Sequence, residues 1–286
     1  MNQYTAHANG KPIFKLPPLA CDAHCHVFGP FERYPMTGSR KYTPAEVPID
    51  ALRRHHESLG IERAVIVHPS SHGTDNRVTL DAIATDPVRY RGVAAIDDSI
   101  TDTELQRMHE GGMRGIRFNF NKNLGGFPDL DLVQRSVARV HGLSLPGWHL
   151  VMQIDGENVP ELDELVRSLP IPFVIDHMGR VNAKAGPGQP DFLGLLEWMK
   201  LEGAWVKLTC PERMCPWPYM EALPFARALL EARPDRVLWG TDFPHPNLKQ
   251  PPDNVDLINL VPKYTVSDAE RQALLVDNAA RLYGFV

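Results

Sequence analysis

The stretch Cys21-Asp22-Ala23-His24-Cys25-His26-Val27-Phe28 decides how this chain is read. It has the look of a short strand. Side chains in a strand alternate faces, so His24 and His26 point one way and Cys25 the other. Two imidazoles side by side at the end of a buried strand are costly to place unless something binds between or beside them. An HxH pair also satisfies metal-ligand geometry that scattered histidines do not.

Outward from this strand the chain alternates. The spacing of Ile49, Leu52 and Leu59 predicts a helix over 49–60, stopped by Gly60. Ala64-Val65-Ile66-Val67-His68 is an unbroken apolar run, the mark of a strand covered on both faces. A helix over 76–86 follows, capped by Asp75 or Asn76, then a strand over 92–96. Thr101 and Glu104 stand at capping-box spacing and open a third helix. Further strands are predicted over 115–120, 150–154, 173–177, 205–210 and 237–242. Helices are predicted over 130–141, 160–169, 191–202, 219–232 and 267–282. Eight strand–helix units at this rhythm fit a single parallel (β/α)8 TIM barrel, α/β in class, better than an open doubly wound sheet. No GxGxxG turn follows the first strand, which argues against a dinucleotide fold. Residues 1–18 read as a polar N-terminal arm and 19–286 as the barrel domain.

Composition narrows the function classes. The 286 residues are 43% hydrophobic and 23% charged, enough to bury a sizeable core. A net charge of −5 offers no general basic field, so nucleic acid is not an expected partner. No apolar run approaches the roughly 20 residues that span a bilayer, so no membrane is expected. The first residues hold no apolar signal core, and the four cysteines form no CxxC pair; both point to reduced thiols in a cytoplasm. Nothing in the sequence sets an oligomeric state.

In a barrel of this kind chemistry belongs at the C-terminal ends of the strands. There the chain places His24 and His26, His177, and Asp242. Such a group can hold a divalent metal that ionises a water. Alternatively, Asp242 acts as general base on the water while the imidazoles polarise the electrophile. Arg117, Arg180 and Arg213 stand at or just past strand ends, where guanidinium forks suit a substrate with more than one anionic group. Asn119 shares a face with Arg117. Cys25 faces away from the histidines; Cys210 would face the mouth only through a bulge and is assigned to packing. Ser70 and Ser71 lack a GxSxG elbow, which argues against a serine hydrolase.

The strings Asp22-Ala23-His24-Cys25-His26-Val27-Phe28-Gly29-Pro30, His72-Gly73-Thr74-Asp75-Asn76, Gly111-Gly112-Met113-Arg114-Gly115-Ile116-Arg117-Phe118-Asn119-Phe120, Val174-Ile175-Asp176-His177-Met178-Gly179-Arg180 and Trp239-Gly240-Thr241-Asp242 closely resemble the 2-pyrone-4,6-dicarboxylate lactonases of the amidohydrolase superfamily. The resemblance spans nearly the whole chain after the arm. It implies hydrolysis of 2-pyrone-4,6-dicarboxylate to 4-oxalomesaconate, a step in bacterial breakdown of lignin-derived aromatics through protocatechuate. Carried over by residue, Asp242 would activate the water, with His24, His26 and His177 polarising the lactone carbonyl. Tyr42, Ser70, Arg117, Arg180 and Arg213 would hold the carboxylates. It implies no required cofactor or at most one divalent metal (zinc), held by His24, His26, His177 and Asp242. Two binding positions depart from the pattern: Asn123 replaces an arginine and Gln153 a tyrosine. A different anionic lactone, such as sulfomuconolactone, is therefore the alternative substrate. A mononuclear-zinc decarboxylase of aromatic acids and a non-catalytic dicarboxylate binder are the competing readings.

Overall fold

A computed structural model describes residues 10–121 and 127–286; Asn123, one of the expected binding residues, lies outside them. Eight parallel strands pair in chain order: β1 (Cys21–Cys25), β2 (Arg63–Val67), β3 (Tyr90–Ala94), β4 (Met113–Asn119), β5 (His149–Gln153), β6 (Phe173–Ile175), β7 (Ala204–Leu208) and β8 (Val237–Trp239). Seven helices fill the connections: α1 (Ile49–Leu59), α2 (Arg77–Ala84), α3 (Asp102–Glu110), α4 (Leu130–Gly142), α5 (Val159–Ser168), α6 (Pro190–Trp198) and α7 (Leu223–Ala232). α8 (Asn254–Tyr264), α9 (Asp268–Gln272) and α10 (Asn278–Tyr283) follow β8. The architecture is the (β/α)8 barrel that the alternation predicts. Among the described residues no helix is long and apolar enough to cross a membrane.

Two apolar layers hold the barrel. One packs the helices onto the outside of the strands and includes Leu52, Ile66, Ile116, Leu150 and Phe225. The other includes Val65, Val67, Val93, Val151, Val174, Trp205 and Leu238, closed off by Tyr283 and Phe285 at the chain's end. Period-2 alternation sorts the strand residues between the layers. Val65 and Val67 join one cluster while Ala64 and Ile66 join the other.

The seam between β8 and β1 is closed differently from the rest. Asp22 Oδ1 accepts from the backbone N–H of His24 and of Thr241, each at 3.0 Å. Its Oδ2 takes the Thr241 hydroxyl and faces His56 Nε2 of α1 at 3.2 Å. Above it, His26 N–H donates to Phe243 O and Asp242 N–H to His24 O, both at 2.8 Å. The strands approach so closely that a Cβ on Gly240 would lie 2.7 Å from His24 N and 2.8 Å from Asp22 Oδ1. Only glycine fits there. The seam therefore ties the HxH strand directly to the backbone of Asp242.

Differences from the predicted elements have local causes. β1 ends at Cys25, with a register shift between Asp22 and Cys25, rather than running to Phe28. β6 stops at Ile175 and β8 at Trp239 because His177 and Asp242 take left-handed backbone angles, φ 56° and 67°, which no strand can continue. α8 escapes the sequence reading; Asp253 caps it by accepting from Val255 N–H at 2.9 Å, and Pro262 sits within its last turn. The final helix is interrupted by a π-helical segment, Ala273–Asp277. The Thr101–Glu104 capping box is present with both of its hydrogen bonds.

Candidate active site

Strand alternation and three left-handed turns together build the site. In β4 and β5 the inward positions supply Arg117, Asn119 and Gln153. At the ends of β6, β7 and β8 the left-handed residues are His177, Cys210 and Asp242, with φ of 56°, 54° and 67°. Non-glycine residues adopt such angles at a cost, and they gather where surrounding structure over-determines them. Here all three stand at one barrel mouth.

The mouth holds a small cavity lined mainly by polar and charged side chains. His26, His177 and Asp242 line it, as do the expected binding residues Tyr42, Ser70, Arg117, Gln153 and Arg213. Among the described residues, two expected members do not. His24, fully buried, is absent from the lining; its ring is centred 5.0 Å from that of His26 and 4.7 Å from that of His177. Arg180 is turned aside, its Nε 2.9 Å from Asp155 Oδ1.

Asp242 is the hub. Its Oδ1 lies 3.2 Å from His26 Nε2 and 3.5 Å from His24 Nε2, and its Oδ2 is 3.9 Å from Arg213 Nη2. Burial alone would push this carboxyl up. The His26 hydrogen bond and the neighbouring imidazoles of His177 and His24 overcome that and hold it well below the usual carboxylate range. It is an ionised base at neutral pH. Burial pulls His24 down to about 4 against the opposing pull of Asp176, and burial likewise holds His177 well below the ordinary histidine range. His177 Nδ1 meets the Thr209 hydroxyl at 2.7 Å, and His26 Nδ1 the Val67 carbonyl at 2.8 Å.

Several members escaped the sequence reading. Lys207 is fully buried, with Nζ 3.1 Å from Asp176 Oδ1 and 3.2 Å from His24 Nδ1. A lysine inside the apolar run of β7 was the available signal. Asp176 also takes Arg117 Nε on its Oδ2 at 3.0 Å, and Arg117 donates through Nη2 to Gln153 Oε1. Cys210 is not confined to packing. Its left-handed angle brings Sγ within 4.8 Å of a His177 ring nitrogen and an Asp242 oxygen. Burial pushes this thiol well above its ordinary range, so it is not an activated nucleophile.

The donor set can be tested against a metal. Two ligands about 2.0–2.1 Å from a tetrahedral ion stand roughly 3.3 Å apart; the His26–Asp242 and His24–Asp242 separations, 3.2 and 3.5 Å, are of that size. A ligating imidazole, however, must pass its other N–H to an acceptor. His26 does so at the Val67 carbonyl. His24 Nδ1 has both kinds of neighbour at 3.2 Å, the acceptor Asp176 Oδ1 and the donor Lys207 Nζ. His24, His26 and Asp242 would therefore hold one divalent ion, which would supply an ionised water, only where His24 Nδ1–H turns to Asp176.

Comparison with known proteins places the chain. The amidohydrolase family model matches residues 21–285. The chain is 41% identical over 285 residues to a 2-pyrone-4,6-dicarboxylate hydrolase of Comamonas testosteroni, covering 96% of this chain and 92% of the relative. It is 40% identical over 279 residues to a 4-sulfomuconolactone hydrolase of Hydrogenophaga intermedia, covering 96% and 91%. A crystal structure from Pseudomonas putida, named for a 2-pyrone-4,6-dicarboxylic acid hydrolase, superposes with a TM-score of 0.81 at 32% identity, over 94% of this chain and 99% of that one. The chain belongs to the amidohydrolase superfamily, in its 2-pyrone-4,6-dicarboxylate lactonase family.

Proposed function

We propose that this protein hydrolyses a small lactone carrying more than one anionic group, with 2-pyrone-4,6-dicarboxylate as the substrate and 4-oxalomesaconate as the product. One observation carries the reading: an ionised, buried carboxylate at Asp242 shares one cavity with two imidazoles and with the guanidiniums of Arg117 and Arg213. The family relatives named for lactone hydrolysis support it.

Arg117 and Arg213 take the substrate's anionic groups, with Tyr42, Ser70 and Gln153 completing the walls. Water sits against Asp242 Oδ2 and adds to the lactone carbonyl carbon as Asp242 accepts one of its protons. His26 and His177 face the carbonyl oxygen and stabilise the charge it gains. Collapse breaks the bond to the ring oxygen, which receives the proton from Asp242. His24, below the cavity, acts on Asp242 rather than on the substrate. Arg180 shapes the mouth through Asp155. The reaction as drawn calls for no cofactor.

A second substrate has a specific observation behind it. Gln153 presents its oxygen to Arg117, so the wall at this position differs from a tyrosine hydroxyl, and a 4-sulfomuconolactone hydrolase is nearly as similar as the pyrone enzyme. The test is to incubate purified protein with each lactone and follow loss of the ring absorbance and release of acid. Ring opening of either supports lactone hydrolysis, and the faster one names the substrate. Carbon dioxide released with the ring intact, or binding without turnover, refutes it.

A further inference from the structure

Beneath the cavity floor lies a buried charged cluster whose members never reach the substrate. Lys207 Nζ stands 3.2 Å from His24 Nδ1 and 3.1 Å from Asp176 Oδ1, and all three residues are fully buried. Around His24 Nδ1 two groups compete. Asp176 Oδ1 is equally near, 3.2 Å, but lies off the hydrogen-bonding direction and is left without a hydrogen-bond partner. The Lys207 contact has hydrogen-bond geometry. A lysine ammonium has three donors and no acceptor. His24 Nδ1 must then accept, and the single proton of the neutral ring sits on Nε2. That nitrogen is buried, has no hydrogen-bond partner, and faces Asp242 Oδ1 at 3.5 Å. The other histidine of the pair is held differently, its Nδ1 against the Val67 carbonyl at 2.8 Å and its Nε2 against Asp242 Oδ1 at 3.2 Å.

We propose that Lys207 is a positioning residue that holds His24 as its Nε2–H tautomer, so that a positive N–H edge rather than a lone pair faces Asp242 Oδ1 and leaves Oδ2 for the water. The role given to Asp242 rests on the lactonase reading; the tautomer itself does not depend on any substrate. Loss of the ammonium frees Nδ1–H to turn to Asp176 Oδ1. That carboxylate–histidine pairing presents an Nε2 lone pair and suits metal ligation. Lys207 therefore also decides whether the HxH pair can act as a metal site.

The test is nitrogen NMR of the full-length protein labelled with 15N-histidine, with H24Q used to assign the His24 signals. The wild type is expected to show a pyridine-type Nδ1 and a protonated Nε2. In K207M the two exchange, kcat falls about 10- to 100-fold with KM within about 3-fold, and zinc affinity rises by a similar factor. Wild-type spectra with the proton on Nδ1 overturn the proposal, whether or not K207M folds. A folded K207M with unchanged tautomer and kcat overturns it as well. The expected tautomer in a wild type that opens no lactone sinks the lactonase reading and leaves the assignment of Lys207 standing.

Discussion

Asp242→Asn is the sharpest probe of the proposed chemistry because it removes the base and almost nothing else. Asparagine keeps the shape of the side chain and tolerates the left-handed φ of 67° at this position better than most residues. The backbone link from residue 242 N–H to His24 O, 2.8 Å, survives the change. What is lost is the proton acceptor. General-base catalysis contributes about 10²- to 10⁴-fold, or about 2.7–5.4 kcal/mol of barrier at about 1.36 kcal/mol per tenfold. Binding should not suffer. The guanidinium of Arg213, 3.9 Å from Asp242 Oδ2, is relieved of a competing carboxylate, so an anionic substrate meets a more positive cavity. We expect kcat to fall by that factor while KM holds or drops, measured by steady-state ring-opening kinetics with a melting curve to verify folding. A D242N enzyme with kcat within about 3-fold of wild type, or with the whole loss in KM, refutes Asp242 as the base.

Three further outcomes follow from the same geometry. R213M should raise KM by about 10- to 100-fold, the worth of a charged hydrogen bond of about 1.5–3 kcal/mol, whereas R180M, with its guanidinium on Asp155 outside the cavity lining, should change KM by less than about 3-fold. Equal effects in the two variants would remove the distinction. Acid should destabilise the fold. Burial depresses His24 and His149 to about 4 and His55 and His68 to about 3, against an ordinary value of 6.5. Below 6.5 the unfolded chain takes up protons that the folded one refuses, so stability is complete above that pH. It is lost at up to about 1.4 kcal/mol per unit per histidine as pH falls toward 4; a melting temperature flat from pH 7 to 4.5 contradicts this. Asp22→Asn should cost about 3–5 kcal/mol in urea unfolding, because an amide nitrogen would face donors that the seam aims at a carboxylate. A loss below about 1 kcal/mol shows that the seam closes without it.

The barrel was legible because its signals are local. Apolar runs such as Ala64–Val67, the Gly60 stop and the Thr101–Glu104 capping box each involve residues a few positions apart, and all three appear in the structure. Strand parity alone set His24 and His26 on one face, with Cys25 opposite, its Sγ toward the Val65 carbonyl at 3.5 Å. The strand-end positions of Arg117, Gln153, Arg213, His177 and Asp242 came from the same reading, and the structure gathers these five around one cavity.

Long-range geometry decided the rest. The left-handed turns at His177, Cys210 and Asp242 override strand parity, which is how Cys210 came to face the site. Arg180 sits three positions from His177, yet the turn between them sends it to Asp155. Asp22 meets Thr241 across 219 positions and Lys207 meets His24 across 183. Local sequence determines which face a side chain takes, because that depends on backbone period alone. It cannot say which buried charge will meet which, because a charge in a low-dielectric interior is stable only beside a partner that the closed barrel delivers.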